Sequence, residues 1–407
     1  MDRRELLQLG AVSAAVAATM TKEVLAQGAA PAPAAPPSFK LSLDACSRNL
    51  QWLRTPQELA KGCTDLALQS VDLTVAAYPG HVDPAKVKTD LPAFVNGLKA
   101  SGISVNAIST PIVDADSPYA EDILATAASL GIRYYGWGGF KYTDGPAYTA
   151  QLDALKPRVD KLVKLNQKYK IKALYQPVAG VTNVGSAFFD LLEVLRAFDP
   201  KFVGFRYDTA ALLAPMRDVF VSHMRLGAPY IGAMALNDGE VSLDLPFYQY
   251  GPFDQGRNED ANAGPAGDNT GNDNGNPLAI GGGGWPLPYH FHPKRVGTGM
   301  IDLQLIGRTL KAINFDGPIE TQLTTPLGGA ETGADKISMP RQAVVGQIKR
   351  DRLTVEAGFF DAGWTVDIVR PAFMTPGAPA GGRGGRGGAA APAGGGRGGA
   401  AGGGAAP

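Results

Sequence analysis

No stretch constrains the fold of this chain more than Ile171 to Asp208. An apolar run (171–176) passes through a Gly-rich turn (179–185) into a helical run, Ser186 to Arg196. Asp199-Pro200 then leads to a second apolar run, Phe202 to Asp208. Two apolar runs around one amphipathic helix read as strand, crossover and strand, because parallel neighbours need a connection long enough to carry the chain back. Strands of the same kind are expected at Phe39–Asp44, Val71–Ala76, Ser104–Ser109, Ile132–Trp137, Tyr230–Asp238 and Gly317–Leu323. Helices fall between them. Thr55-Pro56-Gln57-Glu58 is a capping box opening a helix to about Gln69, and Asp83-Pro84 opens one to Ser101 with a break at Pro92. Eight strand–helix repeats without an antiparallel hairpin signal predict a (β/α)8 barrel, with an open doubly wound sheet as the alternative.

The barrel is expected over residues 39–358, and the rest of the chain has other uses. Arg3-Arg4 before the apolar run Leu6 to Met20, and a cleavage point after Val24-Leu25-Ala26, read as an export signal over residues 1–26 of twin-arginine type. An ordinary secretory signal and an uncleaved anchor are the alternatives. The destination is then periplasmic or secreted, with no stable membrane insertion after cleavage, and a Pro/Ala-rich linker covers 27–38. Residues 239–297 form a Gly/Asn/Asp-rich insertion too long for a compact connection. Residues 371–407 are Gly, Ala, Pro and Arg, a composition that cannot bury apolar area and predicts disorder. The formal net charge of zero gives no argument for nucleic acid. Cys46 and Cys63 could meet in a bridge, which nothing in their spacing forces.

In a parallel α/β fold sites are built at the carboxyl ends of strands. The polar residues placed there are Asp44, Gln176, Asp208, Asn237, Asp238, Glu320 and Gln322, with His81 in the loop after strand two. Carboxylates with an amide and a His suit a hard divalent cation such as Mg or Mn, which would assist proton transfer between sugar carbons. Asp208 and Glu320 are the candidate ligands and, with His81, the candidate catalytic groups. Asp44, Gln176, Asp238 and Gln322 are candidates for substrate binding. Asp208 could instead be a helix N-cap and His81 a solvated loop residue. His290 and His292 alternate along one side of an extended segment and are possible further ligands. Tyr134, Tyr135, Trp137 and Phe140 could offer a sugar ring an apolar platform or simply pack the barrel.

The order of motifs resembles the xylose isomerase-like TIM barrel family of sugar phosphate isomerases and epimerases, in particular its secreted members with twin-arginine signals. The likeness rests on Leu73-Thr-Val, Pro-Gly-His-Val (79–82), Asp90-Leu-Pro, Leu130-Gly-Ile-Arg-Tyr-Tyr, Tyr175-Gln176, Tyr207-Asp208, Asn237-Asp238, Val296-Gly-Thr-Gly-Met-Ile-Asp and Asp316-Gly-Pro. The resemblance implies a barrel that isomerises or epimerises a small carbohydrate with a divalent metal, Mn, Mg or Zn. Its metal would be held by a Glu on strand five, an Asp on strand six, a His near strand seven and a Glu on strand eight. Here Gln176 stands on strand five, Asp208 on strand six and Glu320 on strand eight, while strand seven carries Met234-Ala-Leu-Asn without a His. A carbohydrate-binding barrel without chemistry is the second reading. A nuclease of the related endonuclease IV type is a third, disfavoured by only four histidines and no basic groove.

Overall fold

The computed structural model describes residues 39–180, 182–213, 219–243 and 289–366. The expected export signal, the linker, the tail, most of the insertion and the side chain of His290 lie outside the described residues.

The elements run β1 (Leu43–Cys46), α1 (Pro56–Asp65), β2 (Ser70–Thr74), α2 (Val87–Ala100), β3 (Ser104–Ser109), α3 (Ala120–Ser129), β4 (Tyr134–Trp137), α4 (Tyr148–Tyr169), β5 (Lys172–Tyr175), α5 (Phe189–Leu195) and β6 (Val203–Asp208). Then follow α6 (Thr209–Leu213), α7 (Phe220–Leu226), β7 (Ile231–Leu236), β8 (Asp238–Leu243), β9 (Tyr289–Lys294), α8 (Leu303–Ala312), β10 (Ile319–Thr321) and α9 (Arg341–Asp361). Strands β1 to β7 and β10 close into a parallel barrel, so the expected architecture is the observed one.

β2 shows why these residues make a barrel wall. Its five residues are all buried, yet they alternate: Val71 and Leu73 join the apolar core, whereas Ser70 and Asp72 make hydrogen bonds to side chains of the neighbouring strands. A strand covered on both faces by barrel interior and helix layer needs just this two-residue period. α1 starts as the sequence requires, since Thr55 Oγ1 accepts from the Glu58 amide and Glu58 Oε2 from the Thr55 amide.

Three local expectations change, and the bridge that nothing forced does not form. β1 begins at Leu43, so Asp44 lies within the strand rather than at its tip. α2 runs through Pro92, the sixth residue of the helix, where proline forgoes a single bond, to the Lys88 carbonyl. Barrel strand seven stops at Leu236, and Asp238 starts a new direction: β8 pairs antiparallel with β9, so the insertion is carried on a hairpin that no turn signal announced. Cys46 and Cys63 are separate free thiols.

Candidate active site

Register brings distant residues to one level. Asp44 on β1 lies beside Glu320 on β10, Glu320 beside Ala235 on β7, and Ala235 beside Asp208 on β6. Three carboxyls separated by more than two hundred and fifty residues of sequence therefore share one row of the barrel interior, all buried.

A hydrogen-bonded chain links two of them, Asp208 and Glu320. Gln176, just past β5, donates through Nε2 to Asp208 Oδ2 at 2.7 Å and to Gln322 Oε1 at 3.0 Å. Gln322 donates to Glu320 Oε1 at 2.6 Å and, at 3.4 Å, back to Gln176 Oε1. Asp208 also accepts from Asn237 Nδ2 at 2.9 Å and from the Ala211 amide at 2.9 Å, so it does cap the start of α6. On the far side Arg206 donates to Glu320 Oε1 at 2.9 Å and, in a very short contact, to Asp72. Ser109 completes the second carboxylate through Asp72 Oδ1 at 2.8 Å. Asp44 accepts from Ser70 at 2.5 Å and Asn106 at 2.8 Å.

The electrostatics follow from one guanidinium facing three carboxyls out of water. Burial works against the Arg206 charge, but Asp72 and Glu320 hold it protonated. Burial raises Glu320 to about 8 against the pull of Arg206, and raises Asp44 to about 6 against its Ser70 and Asn106 bonds. Asp208 is also raised by burial, with the Ala211 amide, Gln176 and Asn237 opposing the rise. Burial thus raises all three carboxyls, and Glu320 is the one of them held by the guanidinium through Oε1 while its Oε2 has no partner.

Two candidates from the sequence are elsewhere. Both ring nitrogens of His81 are engaged, Nδ1 with Gln51 Nε2 and Nε2 with the Leu53 carbonyl, each at 3.0 Å. The ring packs edge-on against Phe94, and burial lowers it to about 4, so it stays neutral. The Asp238 carboxylate is consumed by the amides of Gly239, Gly297, Gly299, Met300 and Ile301 at 2.8–3.2 Å. His292 lies exposed on β9 across from Glu240. Trp137 and Phe140 pack with Tyr175, and Tyr135 is buried with its hydroxyl on Asn166. Sequence reading missed Asp72 and Arg206, although the period of β2 and β6 places them on the same face as Ser70 and Asp208.

The donor set does not fit a divalent cation. Among the described residues no group of three or more His, Cys, Asp or Glu side chains is placed to hold one. The oxygens that would ligate it, Asp208 Oδ2 and Glu320 Oε1, instead receive amide N–H and guanidinium groups.

Among solved structures, the chain is similar to the IOLI protein with a bound zinc atom (12% identity, TM-score 0.54, covering 79% of this chain and 99% of that one). It is also similar to D-psicose 3-epimerase from Clostridium cellulolyticum H10 with D-tagatose (10%, 0.51, 78% and 99%) and to L-ribulose 3-epimerase (14%, 0.50, 79% and 96%). At these identities the likeness speaks for the fold alone. No curated protein matches the chain. The xylose isomerase-like TIM barrel profile matches residues 63–338, and with the closed barrel and its carboxylate-lined interior this places the chain in the xylose isomerase-like TIM barrel family.

Proposed function

We propose that this protein is an exported sugar isomerase or epimerase that moves a proton between the carbons of a small carbohydrate at the carboxyl end of its barrel. The observation that carries the reading is the single hydrogen-bonded chain from Asp208 through Gln176 and Gln322 to Glu320. It joins a carboxylate dressed with donors to a carboxylic acid with one unpartnered oxygen, the pairing that acid–base catalysis next to a carbonyl requires. Support for the sugar comes from the family and from its sugar-epimerase structural neighbours.

In the proposed step Asp208 accepts the proton of a carbon next to the carbonyl, and the C–H electron pair moves to form the enediol. Glu320 gives its proton to the carbonyl oxygen as that oxygen gains charge. Asp208 then returns its proton to the neighbouring carbon while the O–H on the first carbon gives its proton to Glu320 as the new carbonyl forms, which yields the isomer. If the enediol turns over first, Asp208 protonates the other face of the same carbon and the original O–H returns its proton to Glu320, which yields the epimer. Both groups are restored. Arg206, fixed on Glu320 Oε1 and Asp72, positions Glu320 and stabilises the carboxylate formed when it has given up its proton.

Incubating the purified protein with unphosphorylated ketoses and aldoses in D2O tests this. Solvent deuterium entering at the carbon beside the carbonyl, and lost in Asp208→Asn and Glu320→Gln, is the expected result. Saturable sugar binding with no exchange would favour the second reading, a carbohydrate-binding barrel, which the amide in place of a carboxylate at Gln176 recommends.

Export is supported by Arg3-Arg4 ahead of the apolar run and by the small residues to Ala26. A reporter fused behind residues 1–38 should reach the periplasm and stop doing so when both arginines become Lys.

A further inference from the structure

We infer that this site works without a resident divalent cation, and that the Gln176–Gln322 amide pair stands where an ion would and takes up two neighbouring hydroxyls of the sugar. The inference rests on the sugar-directed reading above and deepens it.

Amide orientation is the first support. Gln176 Nε2 and Asn237 Nδ2 both reach Asp208 Oδ2, and Gln322 Nε2 reaches Glu320 Oε1. Turning any of these amides over would set a carbonyl oxygen against a carboxylate oxygen. The carboxylates therefore fix which amide atom faces them, and the faces a cation would need are covered by hydrogen-bond donors. Charge is the second. Arg206 already sits 2.9 Å from Glu320, and a divalent ion beside it would meet a buried like charge.

Exposure is the third. Asp208, Asn237 and Glu320 are 5%, 3% and 4% exposed, whereas Gln176 and Gln322 are only half-buried. A ligand arriving at the mouth meets the glutamines before the carboxyls. Their mutual bonds are uneven, 3.0 Å and 3.4 Å, so the longer is the weaker and the first to be exchanged. Each opened amide offers its carbonyl oxygen and one N–H, the other N–H staying on Asp208 or Glu320, and two adjacent hydroxyls offer the complement. Behind them, Asn237 Oδ1 is a buried acceptor without a partner, suited to a hydroxyl donor, and Glu320 Oε2 is likewise unpartnered. The same exchange sets the hydroxyls beside Asp208 and Glu320, whose own amide bonds stay in place, so binding brings the sugar against the acid–base pair.

The test uses the full-length mature protein. Metal content by mass spectrometry and calorimetric titration with MnCl2 and with ZnCl2 are expected to show well under about one equivalent bound and no saturable heat to roughly 1 mM. The double variant Gln176→Glu with Asn237→His is expected to bind Mn saturably, which shows that the measurement would detect a site. About one equivalent of metal held by the parent, with EDTA abolishing its binding of D-fructose, D-tagatose or D-glucose, overturns the metal-free half. Gln322→Ala is expected to weaken binding of the same sugars about tenfold with an unchanged melting temperature. Undiminished binding overturns the hydroxyl half. If none of these sugars binds the parent, the hydroxyl half and the proposed function fail together, and the metal result still stands or falls by itself.

Discussion

Asp208 ends β6 and Asp238 lies two residues past the neighbouring β7, both are buried, and both carboxylates are fully occupied, yet they do different work. Asp238 is held by five backbone amides from its own turn and from the 297–301 segment. Gly299 is glycine because a Cβ there would lie 2.3 Å from Asp238 Oδ1 and 2.5 Å from the Gly239 carbonyl. Asp208 takes one backbone amide and two side-chain amides. Backbone donors cannot leave without unfolding a loop, whereas a glutamine can rotate within nanoseconds. A carboxylate bound by backbone is therefore architecture, and one bound by side chains is available to a ligand.

The contrast is tested most severely at Asp238. Asp238→Ala takes the carboxylate away from the amides of Gly239, Gly297, Gly299 and Ile301, Met300 keeping the Gly239 carbonyl, and should cost about 3–5 kcal/mol of stability by chemical denaturation. If it cost as little as a surface change, the distinction between the two aspartates would be lost. Arg206→Met comes next, because it leaves Asp72 buried without its cation: a loss of about 3 kcal/mol is expected, together with loss of turnover. Asp208→Asn should cost only about 1 kcal/mol, read by the same denaturation curves, while deuterium exchange falls by roughly two orders of magnitude or more. A D208N protein that was as unstable as D238A would assign Asp208 to architecture as well.

The same two residues show what could be read from sequence. Eight apolar runs of period two with helices between them were enough for the barrel, since right-handed crossovers leave few other ways to bury such strands. The convergence of Gln176, Asp208, Glu320 and Gln322 was legible because polar residues at the carboxyl ends of apolar runs meet at one mouth once the runs close into a barrel. Asp238 was read as a fourth strand-end acid because nothing local reveals that the chain bends at Asn237 into β8, a turn stabilised by amides some sixty residues away. The partners of His81 were hidden for the same reason: Gln51 and Leu53, which engage both its ring nitrogens, come from the loop after β1. Asp72 and Arg206 lie mid-strand, where charge is rare, and counting alternation through Ser70-Val-Asp-Leu-Thr and Gly204-Phe-Arg-Tyr-Asp was the signal available.

The smallest effect expected is a pH dependence that separates the two kinds of buried group. Glu320 is raised to about 8 and Asp44 to about 6, so the folded barrel keeps protons that the unfolded chain gives up. Their contribution to stability is fully present below the unfolded carboxyl values near 4 and is lost as pH rises through about 6 and then about 8. His81, lowered to about 4, behaves oppositely: its contribution is present above the unfolded value near 6.5 and is lost as pH falls toward about 4. Comparing melting curves of the parent with those of Glu320→Gln isolates the alkaline limb from every other titrating group. The variant's melting temperature relative to the parent should climb by roughly 2–4 °C between pH about 6 and pH about 9. A difference that stayed flat across that range would mean Glu320 is ionised throughout, and the acid half of the proposed proton transfer would have to come from another residue of the mouth.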